Sequence, residues 1–144
     1  MKNLKTKIVI GTSRLGWHIS KERKNKILRT LSYALEKKLP LHTSTLYGSS
    51  IAEIGKNFFP LDKYLDCLFL KVDFQSKYSF FHQIFYAIET LGFKKKINIQ
   101  IENHFKPNKI EELNSALEHL NKLNIVDEVY LSATKSNSKE YLNS

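Results

Sequence analysis

Cysteine is almost missing from the chain, since Cys67 is the single one among 144 residues. An intrachain disulfide is therefore excluded, and no CxxC or other zinc-binding spacing occurs. Long apolar runs are missing as well: no window approaches the roughly 20 apolar residues of a membrane helix. The run at residues 8–10 is too short for the core of a signal peptide. We therefore expect a protein of the reducing cytoplasm without membrane contact.

Acidic residues are also scarce: 14 Asp and Glu stand against 23 Lys and Arg, which gives a net charge of +9. A strongly basic balance can indicate nucleic acid or another anionic surface as a partner. Here the lysines are spread along the whole chain, and the one dense run, residues 94–96, follows Gly92, where a helix is expected to end. Cations suit a helix C-terminus, so we interpret the charge as solvated surface and expect no nucleic-acid partner.

The chain does contain a regular alternation of two hydrophobic patterns. Short apolar and β-branched runs predict strands at residues 7–12, 39–43, 65–74, 96–103 and 126–132. Apolar residues at helical spacing predict helices at residues 21–38, between 50 and 60, between 79 and 92, and from 108 to about 120. Strands that alternate with helices predict an α/β fold with a parallel sheet and right-handed crossovers.

The most specific pattern lies at residues 41–58, LHTSTLYGSSIAEIGKNF, and the strand FLKVDF follows it. Five residues stand at the spacing of a known signature: Thr43, Tyr47, Gly48, Gly55 and Lys71. This spacing resembles that of the aldo/keto reductases, which are NAD(P)H-dependent carbonyl reductases built on a TIM barrel. The N-terminal segment KIVIGTSRLGW also looks like the first strand and the Leu-Gly turn of that family.

The resemblance implies a partial barrel. A complete (β/α)8 barrel typically needs about 250 residues, so the 144 residues of this chain would supply the first four and a half βα units. We expect residues 1–132 to form this truncated TIM-barrel half, and residues 133–144 to be a polar C-terminal tail. The two edge strands of a half barrel would have unpaired backbone groups, so we expect a homo-oligomer or a complementary chain.

The resemblance assigns catalytic roles to Tyr47 and Lys71. In the family, the tyrosine is the general acid that protonates the carbonyl oxygen as hydride arrives, and the lysine lowers the pKa of that tyrosine. A tyrosine with a pKa of about 10 is a poor acid–base group at neutral pH, and a nearby cation favours its phenolate. The plainer alternatives are a partly buried loop tyrosine and a solvated lysine at a strand end.

The signature is altered at the family's aspartate position, which holds His42, and Ser44 replaces its alanine. In the family the aspartate pairs with the lysine, but an imidazole supplies no fixed negative charge. We therefore expect Lys71 to lose its electrostatic anchor and the chemistry to be impaired. The alternative is that His42 is a satisfied histidine without a role.

A further family histidine orients the carbonyl and stands two residues before a proline, at the end of the fourth strand. Here the segment reads IENHFKP, with His104 three residues before Pro107. Either His104 is the match with one residue inserted, or Glu102 has replaced the histidine. Strand alternation places both side chains on one face, so spacing leaves both open, and residue type favours His104.

The cofactor contacts of the family are only partly matched. After the fifth strand the family often has Gly-x-Ser-Asn, whose side chains hold the nicotinamide amide; Ser132 fits the serine, whereas Ala133 stands at the asparagine position. The phosphate- and adenine-binding segments follow strands seven and eight of the family, and no GxGxxG or P-loop pattern substitutes for them here. The resemblance implies NADP(H) or NAD(H), but we expect poor binding by this chain alone.

A metal centre is the other chemistry that the residue types suggest. Ligand-type side chains occur at or near the predicted strand ends: His42, Cys67, Glu102 and His104. They lie on three strands and lack any metal-binding spacing, so we expect no metal.

Two functions follow from these patterns. The first is an aldo/keto reductase-like, NAD(P)H-dependent oxidoreductase that reduces a small-molecule carbonyl, catalytically impaired or inactive as an isolated chain. The alternative is a non-catalytic remnant, or an interaction module of a truncated gene. Saturable binding of the nucleotide would separate the two.

Overall fold

The computed structural model describes residues 8–102 and 107–132. Its strands are β1 (Ile10–Gly11), β2 (Leu41–Ser44), β3 (Leu68–Val72), β4 (Ile97–Glu102) and β5 (Val126–Ser132). Its helices are α1 (Lys21–Glu36), α2 (Ser50–Phe58), α3 (Lys77–Leu91) and α4 (Ile110–Lys122). Within these described residues, none of the helices combines the length and the apolarity that crossing a bilayer requires.

The strands form one parallel sheet in chain order, β1-β2-β3-β4-β5. Parallel neighbours need a crossover connection, and a helix supplies it between each pair. This confirms the predicted α/β fold. β3 is shorter than predicted, because Leu65 and Phe74 at the ends of the apolar run are buried in flanking segments and lie outside the strand.

The predicted starts of two helices are displaced. α3 begins earlier than expected because Ser76 is its N-cap and accepts from the backbone N–H of Ser79, whose side chain completes a capping box. α4 begins at Ile110, two residues after the predicted start at residue 108. Residues Pro107–Lys109 form a 3-10 turn, and Lys109 occupies the N-cap position of α4 without a side-chain cap.

The sheet has two unlike faces. Towards the helices, alternate strand residues such as Leu41, Leu70 and Ile99 are fully buried in the hydrophobic core. The other alternate residues form a mainly polar surface, here named the open face: His42, Ser44, Phe69, Lys71, Asn98, Gln100, Glu102, Tyr130 and Ser132. Because all strands run in parallel, their carboxyl ends meet along one edge of the sheet, and this edge is where α/β barrels carry their functional loops.

Candidate active site

The loop between β2 and α2 folds back on the end of β2 and carries Tyr47. The backbone N–H of Tyr47 donates to the Ser44 carbonyl at 3.2 Å, and the Ser44 hydroxyl accepts from the Leu46 N–H at 3.0 Å. α2 begins at once, since the Ser50 N–H donates to the Tyr47 carbonyl at 3.0 Å. These bonds hold Tyr47 at the carboxyl end of β2.

Two glycines fix this loop against the turn that follows β1. The Ser49 N–H donates to the Gly16 carbonyl at 3.1 Å. A Cβ on Gly16 would lie 1.5 Å from the Tyr47 carbonyl oxygen, and a Cβ on Gly48 would lie 2.2 Å from the Gly16 carbonyl oxygen. Gly48 also has a φ of +53°, which residues with side chains rarely adopt. The Leu-Gly and Tyr-Gly pairs of the sequence therefore belong to one contact between two loops.

Three buried hydroxyls form hydrogen bonds with each other at the base of the loop that carries Tyr47. Thr12 Oγ1 donates to Thr43 Oγ1 at 2.9 Å, and Ser50 Oγ lies 3.0 Å from Thr12 Oγ1. All three residues are buried, and buried polar groups need such partners. The signature residue Thr43 thus has a structural role. Sequence reasoning missed Thr12 and Ser50 as partners of Thr43, although the position of Thr12 at the end of the first apolar run was a usable signal.

Lys71 of β3 forms an ion pair with Glu102 at the end of β4. Their side chains are 20% and 21% exposed, so the pair is largely withdrawn from water. Lys71 stands beside Gln100 in the sheet, and Glu102 lies two residues further along the same face. The expectation that Lys71 loses its electrostatic anchor is therefore wrong: the carboxylate comes from β4, whereas the resemblance placed it on β2.

His42 belongs to a second polar contact on the open face. Its Nε2 lies 2.8 Å from Oε1 of Gln100, and Nε2 of Gln100 donates to the Ser132 hydroxyl at 3.1 Å. Since an amide oxygen can only accept, Nε2 of His42 carries the proton. The side chains of His42, Gln100 and Ser132 thus form a row of hydrogen bonds that connects β2, β4 and β5 across β3. Gln100 was not singled out in the sequence, although its place between Asn98 and Glu102 on the polar side of an alternating strand was a signal.

Tyr47 lies next to His42, with 6.0 Å between the ring centroids. Burial raises the pKa of the Tyr47 phenol, because the phenolate is less well solvated there. This direction is opposite to the lowering that the resemblance implies. Within residues 8–102 and 107–132, no hydrogen bond joins the Tyr47 hydroxyl to Lys71.

Two further candidates from the sequence are His104 and Cys67. His104 lies outside the described residues, so its role stays a prediction. Cys67 accepts a hydrogen bond from the Asn98 amide at 3.2 Å. The part of the chain that the structure describes contains no cluster of three side chains able to hold a metal ion.

Comparison with known proteins gives matches at the level of structure. No family model matches the sequence, and no curated protein matches it. The holo form of an aldo-keto reductase from Bacillus halodurans is similar at 22% identity and a TM-score of 0.72, covering 95% of this chain and 49% of that one. An aldo-keto reductase from Klebsiella pneumoniae in complex with NADPH has 15% identity and a TM-score of 0.72, covering 93% of this chain and 48% of that one.

The chain spans about half the length of these reductases. The similarity extends over nearly all of the present chain, which confirms the predicted partial barrel and the predicted resemblance at the level of fold. The chain thus has the fold of about half of an aldo-keto reductase.

Proposed function

We propose that the open face carries a site of the aldo-keto reductase type, which acts in NAD(P)H-dependent reduction of a small-molecule carbonyl. The observation that supports this proposal best is the Lys71–Glu102 ion pair, withdrawn from water at the carboxyl ends of β3 and β4. A partly buried ion pair gives a fold little net stability. Charged groups in such surroundings are typical of functional sites.

In this proposal Tyr47 donates its proton to the carbonyl oxygen, and a nicotinamide cofactor supplies the hydride. The raised pKa of Tyr47 keeps the phenol protonated at neutral pH, which is the form that reduction needs. The reverse oxidation needs the phenolate, and burial disfavours it. The raised pKa also makes the phenol a weaker acid, so proton transfer would be slower than in a site that lowers the pKa of its tyrosine.

The other residues would orient the substrate and the cofactor. His42 presents a ring beside Tyr47, and His104 remains a candidate for orienting the carbonyl by resemblance alone. The residues of the open face suit a nicotinamide amide, because the Ser132 hydroxyl accepts from Gln100 and keeps its own proton to donate. The rest of the cofactor would need further βα units, from a second copy or a complementary chain. A cytoplasmic location belongs to the same proposal.

The first experiment is a titration with NADPH and NADH, followed by nucleotide fluorescence and then by carbonyl reduction. If a second copy or a complementary chain completes the site, we expect saturable binding at micromolar nucleotide. Tyr47→Phe should keep this binding and lower turnover by about 10²–10⁴-fold, since it removes the proton donor. Unchanged turnover in Tyr47→Phe would contradict the role of Tyr47.

A non-catalytic interaction module is the second candidate. It is favoured by His42, which by the resemblance stands in place of a carboxylate. Absence of binding at millimolar nucleotide, with a folded protein by circular dichroism, would favour this candidate and refute the reductase proposal.

A further inference from the structure

The two ends of the sheet differ in charge. Because all five strands are parallel, the segments that lead from a helix into the next strand lie together at the amino ends of the strands. There are four such segments: residues 37–40, 59–67, 92–96 and 123–125. Their charged side chains are six lysines and two aspartates.

The carboxyl end of the sheet has no such excess in the connections that the structure describes in full. These are three segments that lead from a strand into a helix: residues 12–20, 45–49 and 73–76. Apart from a histidine, their charged side chains are Arg14 and Asp73, which balance each other. Positive charge is therefore concentrated at the amino end of the sheet.

Most of the lysines at the amino end are free to meet a partner. Lys95 is paired with Asp66. Lys63, Lys94 and Lys96 are exposed, and none of them forms an ion pair within residues 8–102 and 107–132. The lysine run at residues 94–96, which the sequence led us to interpret as solvated surface, thus presents two unpaired cations.

Exposed apolar side chains lie among these lysines. Phe59 and Leu123 are 62% and 50% exposed, and they line one cleft together with Lys94. The cleft has a volume of about 470 Å³; its lining also includes the buried Phe93, and Glu89 supplies a carboxylate. Single exposed apolar side chains are common, but two that share one cleft form a patch. Apolar and cationic groups therefore share one surface.

The ring of Phe59 is held in place on this surface. A Cβ on Gly92 would lie 2.7 Å from Cε2 of Phe59 and 2.8 Å from Cβ of Pro60. The ring therefore packs directly on the backbone of Gly92, at the end of α3. A side chain that is already fixed loses little conformational entropy when it meets a partner.

We propose that the amino end of the sheet docks on an anionic lipid surface. The lysines would lie against the lipid phosphates, while Phe59 and Leu123 enter the boundary between headgroups and acyl chains. A nucleic acid would also attract the lysines but offers no apolar layer to Leu123. We expected no membrane contact because the sequence contains no spanning segment, but docking on a lipid surface needs no such segment.

The docked orientation leaves the candidate active site accessible. Tyr47 and the Lys71–Glu102 ion pair lie towards the carboxyl ends of the strands, so they would face away from the lipid. Docking and reductase activity are therefore measured separately, and either can fail without the other.

The first test is sedimentation of the full chain with vesicles made of equal parts phosphatidylglycerol and phosphatidylcholine, at about 0.15 M salt. We expect binding to these vesicles and none to phosphatidylcholine alone. Lys94→Gln combined with Lys96→Gln should weaken binding on the order of 20-fold, because each cation near such a surface contributes about fivefold. Leu123→Ser should weaken it several-fold, because it removes apolar contact with the lipid.

Lys21→Gln combined with Arg23→Gln is the matched control. Both residues are exposed in the first turn of α1, at the carboxyl end of the sheet, and the net charge changes equally. The Debye length at this salt concentration is about 8 Å, so charges at the far end of the protein are screened from the lipid. The control should therefore weaken binding less than twofold.

A second measurement determines the orientation. Trp17, the single tryptophan of the chain, is 58% exposed and follows the turn after β1, at the carboxyl end of the sheet. Brominated acyl chains in the vesicles should leave its fluorescence unquenched. In Phe59→Trp the additional tryptophan should be quenched, because it lies at the docked end.

Several results would overturn the proposal. These are absence of binding to the anionic vesicles, equal weakening by the control variant, and quenching of Trp17 in the wild type. Unchanged binding of Leu123→Ser would contradict it as well. If a single-stranded oligonucleotide then bound as tightly as the vesicles, the lysines would be assigned to nucleic acid instead.

Discussion

The two faces of the sheet are built from the same strands by opposite chemistry. On the helix side, β3 contributes Leu68, Leu70 and Val72, all of them fully buried. On the open face, the same strand contributes Phe69 and Lys71, which remain partly exposed. Helices α1–α4 cover the helix side over β2–β4, whereas Val129 and Leu131 of β5 stay exposed on it. The open face contains charges and amides that pair with each other across strands, as expected for a surface that receives a polar partner.

The difference shows which residues maintain the fold and which are available for function. Apolar burial contributes about 25 cal/mol per Å², so the helix side accounts for most of the stability. A partly buried ion pair such as Lys71–Glu102 roughly balances its desolvation cost. Substitutions on the two faces should therefore have unequal effects on the free energy of unfolding.

The largest effect is expected from neighbouring residues of β3. Leu70→Ala should lower the free energy of unfolding by about 2–5 kcal/mol, because it leaves a cavity in the core. Phe69→Ala, which removes a larger side chain from the open face, should cost less than half as much. Urea unfolding measures both. Equal losses would mean that the open face is packed as a second core.

The next effect concerns the contact between the two glycine loops. Gly16→Ala places a Cβ against the Tyr47 carbonyl and should destabilise the chain by about 1–3 kcal/mol through backbone displacement. Gly11→Ala is the control, since a Cβ there meets nothing within 4 Å. Thermal unfolding of dilute protein compares them. Similar melting temperatures for the two variants would show that the loops adjust freely.

A smaller effect is expected at the ion pair. Glu102→Gln leaves the Lys71 ammonium without its carboxylate and should cost about 1–2 kcal/mol, between the values for exposed and buried pairs. Adding Lys71→Met to that variant should recover most of the loss. A double-mutant cycle in urea gives the coupling, and a coupling near zero would argue against a formed pair.

The smallest effect is in the pH dependence. The pKa of Tyr47 is raised above its usual value of 10.0, so the folded chain holds this proton more tightly than the unfolded chain does. The stability linked to Tyr47 is therefore fully present below pH 10.0 and is lost as pH rises through the folded pKa. Tyr47→Phe should flatten this part of the stability profile. The hydrogen bond with Glu128 also raises the pKa of Tyr130, so the ultraviolet titration of the wild type is compared with that of Tyr47→Phe. The difference should show a tyrosine that ionises late, and its absence would contradict the shift at Tyr47.

The order of elements followed directly from periodicity, because each strand and helix buries its own apolar set. The partner of Lys71 could not be predicted that way. Spacing left Glu102 and His104 equivalent on one face of β4, and only the register of β4 against β3 brings Glu102 to the lysine. The burial of Tyr47 likewise depends on the contact between Gly16 and Gly48, which joins segments distant in the sequence.

The orientation of the Gln100 amide sets which groups donate and which accept in the hydrogen bonds from His42 to Ser132. With its oxygen towards His42, Gln100 donates to Ser132 and leaves the serine proton for another acceptor. If the amide were rotated by half a turn, its nitrogen would donate to His42, whose Nε2 would have to be unprotonated. The amide oxygen would then accept the proton of the Ser132 hydroxyl. A doubly protonated imidazole permits the first arrangement only. The tautomer of His42 on β2 thus determines whether the Ser132 hydroxyl on β5, three strands away, acts as a donor.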